Sequence, residues 1–230
     1  MSTVLITGAN RGIGLEFVKQ YLDEGDTVLA CCRDPGSADE LSALAGQFDA
    51  LSLHRLDVSQ ADQIDELAAT LDGTGLDVLI NNAGIYGPKG LSFDEINEQD
   101  WLDVFTVNSI APFMVTRALL PHLKKGGVKK IAVLSSKMGS VADNDSGGSY
   151  LYRSSKSAIN QVVKSLSHDL KDSGMRVVAL HPGWVQTSMG GPQALITTQQ
   201  SVTGLRKVIS DLDDERSGGF FAYDGAVVPW

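Results

Sequence analysis

From one end to the other the chain alternates between short apolar runs and longer amphipathic stretches, a pattern few folds accommodate. The runs are Val4–Thr7, Thr27–Cys31, Leu51–Leu56, Val78–Ile80, Lys130–Leu134, Arg176–Leu180 and Gly219–Ala222. Most lack polar alternation, as expected of strands covered on both faces. Helix-length segments lie between them, at about 12–24, 36–46, 60–71, 97–124, 151–172 and 194–212. The pattern predicts an α/β fold, a mostly parallel seven-stranded sheet flanked by helices on both faces. Within 151–172, Ile159, Val162, Val163, Leu166 and Leu170 recur at spacings of three and four, and Gly174 sits just past the end. Segment 97–124 is apolar on more than one side, and Pro112 is expected to bend it. No linker, repeat or composition break interrupts the 230 residues, so one domain is expected over 1–230.

The turn after the first strand narrows the chemistry. It reads Thr7-Gly8-Ala9-Asn10-Arg11-Gly12-Ile13-Gly14 and leads into an amphipathic helix. Gly8 permits the tight turn, Gly12 lets a diphosphate approach the backbone, and Gly14 lets helix pack on strand. The helix N-terminus then presents free amides to an anion. No Gly-Lys-Ser/Thr follows, so this is not a nucleoside-triphosphate loop. The second strand ends in Cys32 and Arg33, where a binder of the unphosphorylated dinucleotide usually carries a carboxylate. Arg33 suits a 2′-phosphate through a charge-assisted fork, and Arg11 can close on the same group. NADP(H) is therefore expected over NAD(H), with Gly8, Asn10, Arg11, Gly12, Ile13, Gly14 and Arg33 in contact with it.

Composition excludes several other classes. The formal charge of −9 disfavours duplex nucleic acid or an anionic membrane as partner, and the lysines at 124, 125, 129 and 130 read as a solvated turn. The only cysteines, Cys31 and Cys32, are adjacent, which rules out a disulfide framework and suits a reducing cytoplasm. No run of about 18 apolar residues suggests a membrane span. No histidine, cysteine or carboxylate spacing suggests a metal site.

Tyr152 and Lys156 lie four apart on the predicted helix and so share a face. A neighbouring ammonium favours phenolate, so the tyrosine is expected to titrate below its ordinary value of about 10 and to act as general acid or base. Ser136 follows the fifth strand at the sheet's carboxyl edge, where its hydroxyl can steady a developing oxyanion. It precedes Tyr152 by 16 residues, and Ser140, at 12, stays open as its rival. Tyr150 is a weaker catalytic candidate that can shape a pocket. Trp184, Met189 and Met138 are candidate apolar walls.

The first loop, Asn81-Asn82-Ala83-Gly84, Asn108, Ser136, Tyr152 with Lys156, and Pro182-Gly183 occur in order and together resemble the short-chain dehydrogenases/reductases. The stretches around Ser135–Ser140, Tyr152–Lys156 and His181–Val185 look most like the small carbonyl reductase and C-factor-like subgroup. The resemblance covers nearly the whole chain and implies a single-domain Rossmann fold. It assigns Asn108 to a water-linked relay holding Lys156. It also implies cofactor contacts from Asp57, Val58, Asn81, Ala83, Gly84, Tyr152, Lys156, Pro182, Gly183, Val185 and Thr187, with a short substrate lid near 186–197. The activity so implied is NADPH-dependent reduction of a small-molecule carbonyl (ketone, aldehyde or quinone) with Tyr152 as general acid. The alternative is an NADP(H)-binding signalling or scaffold protein with vestigial activity. The resemblance further implies a homodimer or homotetramer through 97–124 and 151–172, although monomers also occur among small carbonyl reductases.

Overall fold

A computed structural model describes all of residues 1–230. The strands are β1 (Thr3–Thr7), β2 (Thr27–Cys32), β3 (Leu51–Arg55), β4 (Val78–Asn81), β5 (Lys130–Leu134), β6 (Arg176–His181) and β7 (Phe220–Ala222). They form one sheet in the order β3-β2-β1-β4-β5-β6-β7, with every neighbouring pair parallel. The helices are α1 (Gly12–Asp23), α2 (Asp39–Ala45), α3 (Ala61–Thr70), α4 (Glu98–Phe105), α5 (Ala111–Ala118), α6 (Leu120–Lys125), α7 (Tyr150–Asp169) and α8 (Thr198–Ser210).

Strand pleating divides the interior in two. Val4, Ile6, Val28, Ala30, Ile80, Ala132 and Val178 pack with Phe17, Leu41 and Leu205 from α1, α2 and α8. Leu5, Leu29, Leu79, Ile131, Val133 and Val177 point to the opposite face, against Leu67, Val115, Ile159 and Val163 from α3, α5 and α7. Both faces of each central strand are thus dry, which is why the runs read as continuously apolar. Strand order reverses between β1 and β4, and the crevice at their carboxyl ends is where such sheets bind ligands.

Two expected helices are shorter than their apolar pattern. Segment 97–124 is three helices, with one wide π turn at Thr106–Ile110 between the first two. Pro112 has no N–H to give the carbonyl of residue 108, and Ala111 N–H instead reaches back five residues to Thr106. Pro121 opens α6 after Leu119 leaves helical geometry. The last helix begins at Thr198, because Thr197 and Gln200 form a reciprocal capping box. The preceding residues Leu195 and Ile196 donate their N–H groups to Trp184 O instead.

Candidate active site

A cleft of about 780 Å³ lies along the carboxyl ends of β1, β2 and β4. Gly8 and Gly12 take left-handed backbones (φ +65° and +54°), and a Cβ at position 14 would collide with the Gly8 carbonyl. Helix α1 starts there with Arg11 as an N-cap that offers no side-chain acceptor, and its first turn contains no acidic residue. Its leading N–H groups are left for an anion, so this cradle fits a diphosphate.

The loops after β1 and β4 are stitched together. Thr7 Oγ1 accepts from the backbone N–H groups of Asn82 and Ala83, both at 3.0 Å. The Asn82 amide donates to Thr7 O at 2.8 Å and Gly8 O at 3.1 Å. Ala83 and Gly84 line the cleft, whereas the Asn81 side chain is buried behind it and donates to Thr116 Oγ1 at 3.2 Å. Strand alternation explains the correction: adjacent residues at a strand end point to opposite sides, and Asn82 is the cleft residue.

Gly8, Asn10, Arg11, Gly12, Ile13, Gly14, Arg33, Asp57 and Val58 all line this cleft. Arg11 and Arg33 are exposed, and neither is held in an ion pair. The Asp34 carboxylate instead caps the next turn, accepting from Gly36 N–H at 3.1 Å. Asp57 Oδ1 accepts from the Ser59 N–H and hydroxyl at 3.0 and 2.7 Å, which fixes the loop after β3.

A second cavity, about 770 Å³, adjoins the first. Ser136 lines only this cavity, Lys156 lines only the dinucleotide cleft, and Tyr152 lines both. Pro182, Thr187 and Met189 also border both, while Gly183 and Val185 face the second. Thr187 Oγ1 donates to Val185 O at 3.3 Å and accepts from Gly190 N–H at 3.1 Å, folding the segment after β6 over the cleft. Ser140 does not line either cavity; it is buried and donates to Trp230 O at 3.3 Å, so the spacing rival to Ser136 falls away. Tyr150, Met138, Trp184 and Met189 all wall the second cavity, as anticipated. Tyr86 and Phe93 join them without any sequence signal beyond their position after β4.

Lys156 is buried, and its ammonium donates to Leu134 O at 2.7 Å. Burial lowers its pKa to about 8. Asn108 sits inside the π turn, accepting from Ile85 N–H at 2.9 Å and donating to Ile85 O and Ser155 Oγ at 2.8 and 3.0 Å. Its carbonyl oxygen lies beside Gly84, where an added Cβ would stand 3.2 Å from it and 3.6 Å from Lys156 Nζ. This joins the π turn, the β4 loop and α7 beside the lysine.

The tyrosine departs from expectation. Burial raises the Tyr152 phenol to about 12, with the neighbouring Ser136 hydroxyl lowering it and Tyr86 raising it further. The lysine cannot offset this, since Nζ is 5.7 Å from the ring centroid and engaged by Leu134. His181, also in the second cavity, is pushed down to about 4, mainly by burial and next by Lys137. Its Nδ1 accepts from Lys137 N–H at 3.2 Å. No group of three or more histidine, cysteine or acidic side chains is arranged to hold a metal.

Comparison with known proteins agrees with this geometry. The short chain dehydrogenase family model matches residues 2–195. The C-signal protein of Myxococcus xanthus is 47% identical over 155 residues, covering 67% of this chain and 93% of that protein. The NADPH-bound carbonyl reductase from chicken fatty liver superposes with a TM-score of 0.95 at 39% identity, covering 100% of this chain and 99% of that one. Carbonyl reductase Sniffer of D. melanogaster gives 0.95 at 38% identity over the full length of both. With a matching model over most of its length and the dinucleotide cleft in place, the chain belongs to the short-chain dehydrogenase family.

Proposed function

We propose that the protein is an NADPH-dependent reductase of small or medium carbonyl compounds, with Tyr152 as the proton donor. The observation that carries this reading is the position of Tyr152 in the wall between two cavities, with Lys156 on the dinucleotide side and Ser136 on the other. Arg11 and Arg33, exposed and unpaired at the adenosine end, favour the phosphorylated dinucleotide. Bound there, NADPH supplies the hydride that reduces the carbonyl carbon.

The remaining chemistry belongs to the chain. Ser136 donates a hydrogen bond to the carbonyl oxygen as negative charge grows on it. Tyr152 delivers its phenolic proton to that oxygen, giving the alcohol. A phenol held at about 12 is fully protonated at neutral pH, so the acid form is the resting form. An alkoxide is more basic than a phenolate, so the transfer runs downhill. Lys156, on the dinucleotide side of the wall, orients the nicotinamide ribose. Asn108 fixes the backbone beside Lys156. The Pro182–Thr187 turn bounds the nicotinamide site, and 186–197 forms a short lid.

The substrate cavity has no carboxylate in its lining, and its two lysines are engaged, Lys89 with Met189 O and Lys137 with Asp143. Aromatic and thioether walls from Phe93, Tyr150, Trp184, Met138 and Met189 suit an uncharged ketone, aldehyde or quinone. Steady-state reduction of a carbonyl panel with NADPH and with NADH tests the reading. Turnover with a preference for NADPH supports it. Tight NADPH binding with no turnover across the panel would return the protein to a binding role.

A further inference from the structure

One aromatic residue outside the expected catalytic set packs directly on Tyr152. The ring of Tyr86, in the loop after β4, stacks on the ring of Tyr152 with centroids 4.6 Å apart and planes 24° from parallel. Its hydroxyl lies 2.8 Å from Ser149 Oγ. Ser149 holds a left-handed backbone (φ +48°, ψ +39°) directly before α7, a conformation a non-glycine residue adopts at some cost. Over the Tyr86 ring stands the Lys89 ammonium, 5.5 Å from the centroid, and that ammonium donates to Met189 O in the lid at 2.8 Å. Tyr86 therefore joins the β4 loop to the start of α7 directly, and to the segment after β6 through Lys89. It lines both cavities alongside Tyr152.

Resting on the reading of Tyr152 as proton donor, we propose that Tyr86 is the positioning residue for that phenol: its ring fixes the Tyr152 ring between the two cavities. The stack is the main contribution, because the Ser149 bond is exposed and so worth little. A side chain with two free torsions cannot hold a phenol within reach of a reacting oxygen unless its ring faces are packed. One face of Tyr152 has Tyr86, and the nearest cation, Lys156, is held by Leu134. Removing Tyr86 leaves Tyr152 free to tilt away from the carbonyl oxygen and opens it to water. Tyr86 also helps to keep the phenol's pKa high, so its loss has a titration signature.

The test compares Y86F, Y86L and Y152F with wild type, using NADPH and the best carbonyl substrate of the panel. Y86L is expected to lower kcat about 10- to 50-fold, the scale of a displaced reacting group, with the NADPH dissociation constant moving less than about threefold. Its alkaline limb of kcat shifts to lower pH, a change a merely structural role would not produce. Y86F keeps the stack and restores most of kcat. A Y86L enzyme with wild-type kcat and pH profile, or a Y86F enzyme impaired as deeply as Y86L, overturns the inference. If Y86L also loses NADPH binding, Y86M is read in its place, since its flexible side chain fills the volume without stacking. An unimpaired Y152F would sink the reading of Tyr152 itself; an impaired Y152F beside an unimpaired Y86L sinks only the role of Tyr86.

Discussion

Lys156 and Tyr152 share one face of α7, yet the lysine ammonium is bonded to Leu134 O at 2.7 Å and lies 5.7 Å from the centre of the phenol ring. The pair is thus a lysine anchored to the sheet beneath a phenol at the cavity wall, and burial moves their pKa values in opposite directions, to about 8 and about 12. Each leads to a measurable consequence.

Above pH 8 the free enzyme begins to lose the Lys156 charge. The value of kcat/KM for NADPH, which reports ionisations of the free enzyme, is expected to fall tenfold per pH unit beyond that point, about one proton's worth. In K156M this limb should vanish at a much reduced overall rate. A flat wild-type profile from pH 7 to 10 would contradict the assignment.

Arg33 is exposed at the mouth of the dinucleotide cleft and carries no ion pair. Replacing it with aspartate should weaken NADPH binding more than about tenfold while leaving NADH nearly unaffected, because only the 2′-phosphate loses its partner. Fluorescence titration with both dinucleotides decides this. Equal losses for the two, or none, would remove Arg33 from the role.

Much of this architecture was legible in the chain. The dry runs Val4–Thr7 and Arg176–Leu180 announced central parallel strands, and the glycines at 8, 12 and 14 announced the cradle. The four-residue spacing of Tyr152 and Lys156 put them on one face. It could not show that Lys156 is taken by Leu134 O, because the two residues, 22 apart in sequence, meet only once α7 packs on the end of β5. For the same reason the phenol's pKa moved against expectation: burial is a property of the whole fold, and no spacing encodes it. Asn81 and Asn82 are adjacent and chemically identical, and only the strand register tells which faces the cleft. Tyr86 carried no motif at all; its ring meets Tyr152 across 66 residues of sequence.

Gly139 marks a tight approach between the segment after β5 and α7. A Cβ there would stand 2.7 Å from the backbone carbonyl carbon and Cβ of Lys156. Gly139→Ala should therefore destabilise the fold by about 1–3 kcal/mol, as overpacking does. By pushing α7 away from Ser136 it should also lower kcat/KM. Chemical denaturation and steady-state kinetics of the variant check both parts, and wild-type values for both would show that this contact yields freely.

His181 is held down at about 4 and His54 is also lowered, in both cases chiefly by burial. Between that range and the ordinary histidine value of 6.5, the unfolded chain binds more protons than the folded one. Stability is therefore full above neutral pH and falls as pH drops through 6.5 toward 4, with His181 contributing on the order of 2–3 kcal/mol. Urea midpoints at pH 7.5 and 4.5 should differ in that direction, and H181Q should narrow the gap. An H181Q midpoint difference as wide as that of wild type would place the acid sensitivity elsewhere.

The most direct test is a single turnover of NADPH-loaded Y152F, followed by nicotinamide absorbance with a substrate that wild type reduces. Loss of the positioned proton donor should slow hydride consumption by about 10²–10⁴ while NADPH still binds with near wild-type affinity. A variant that binds NADPH and consumes it at the wild-type rate would mean that the phenol in the wall between the two cavities donates no proton to the substrate.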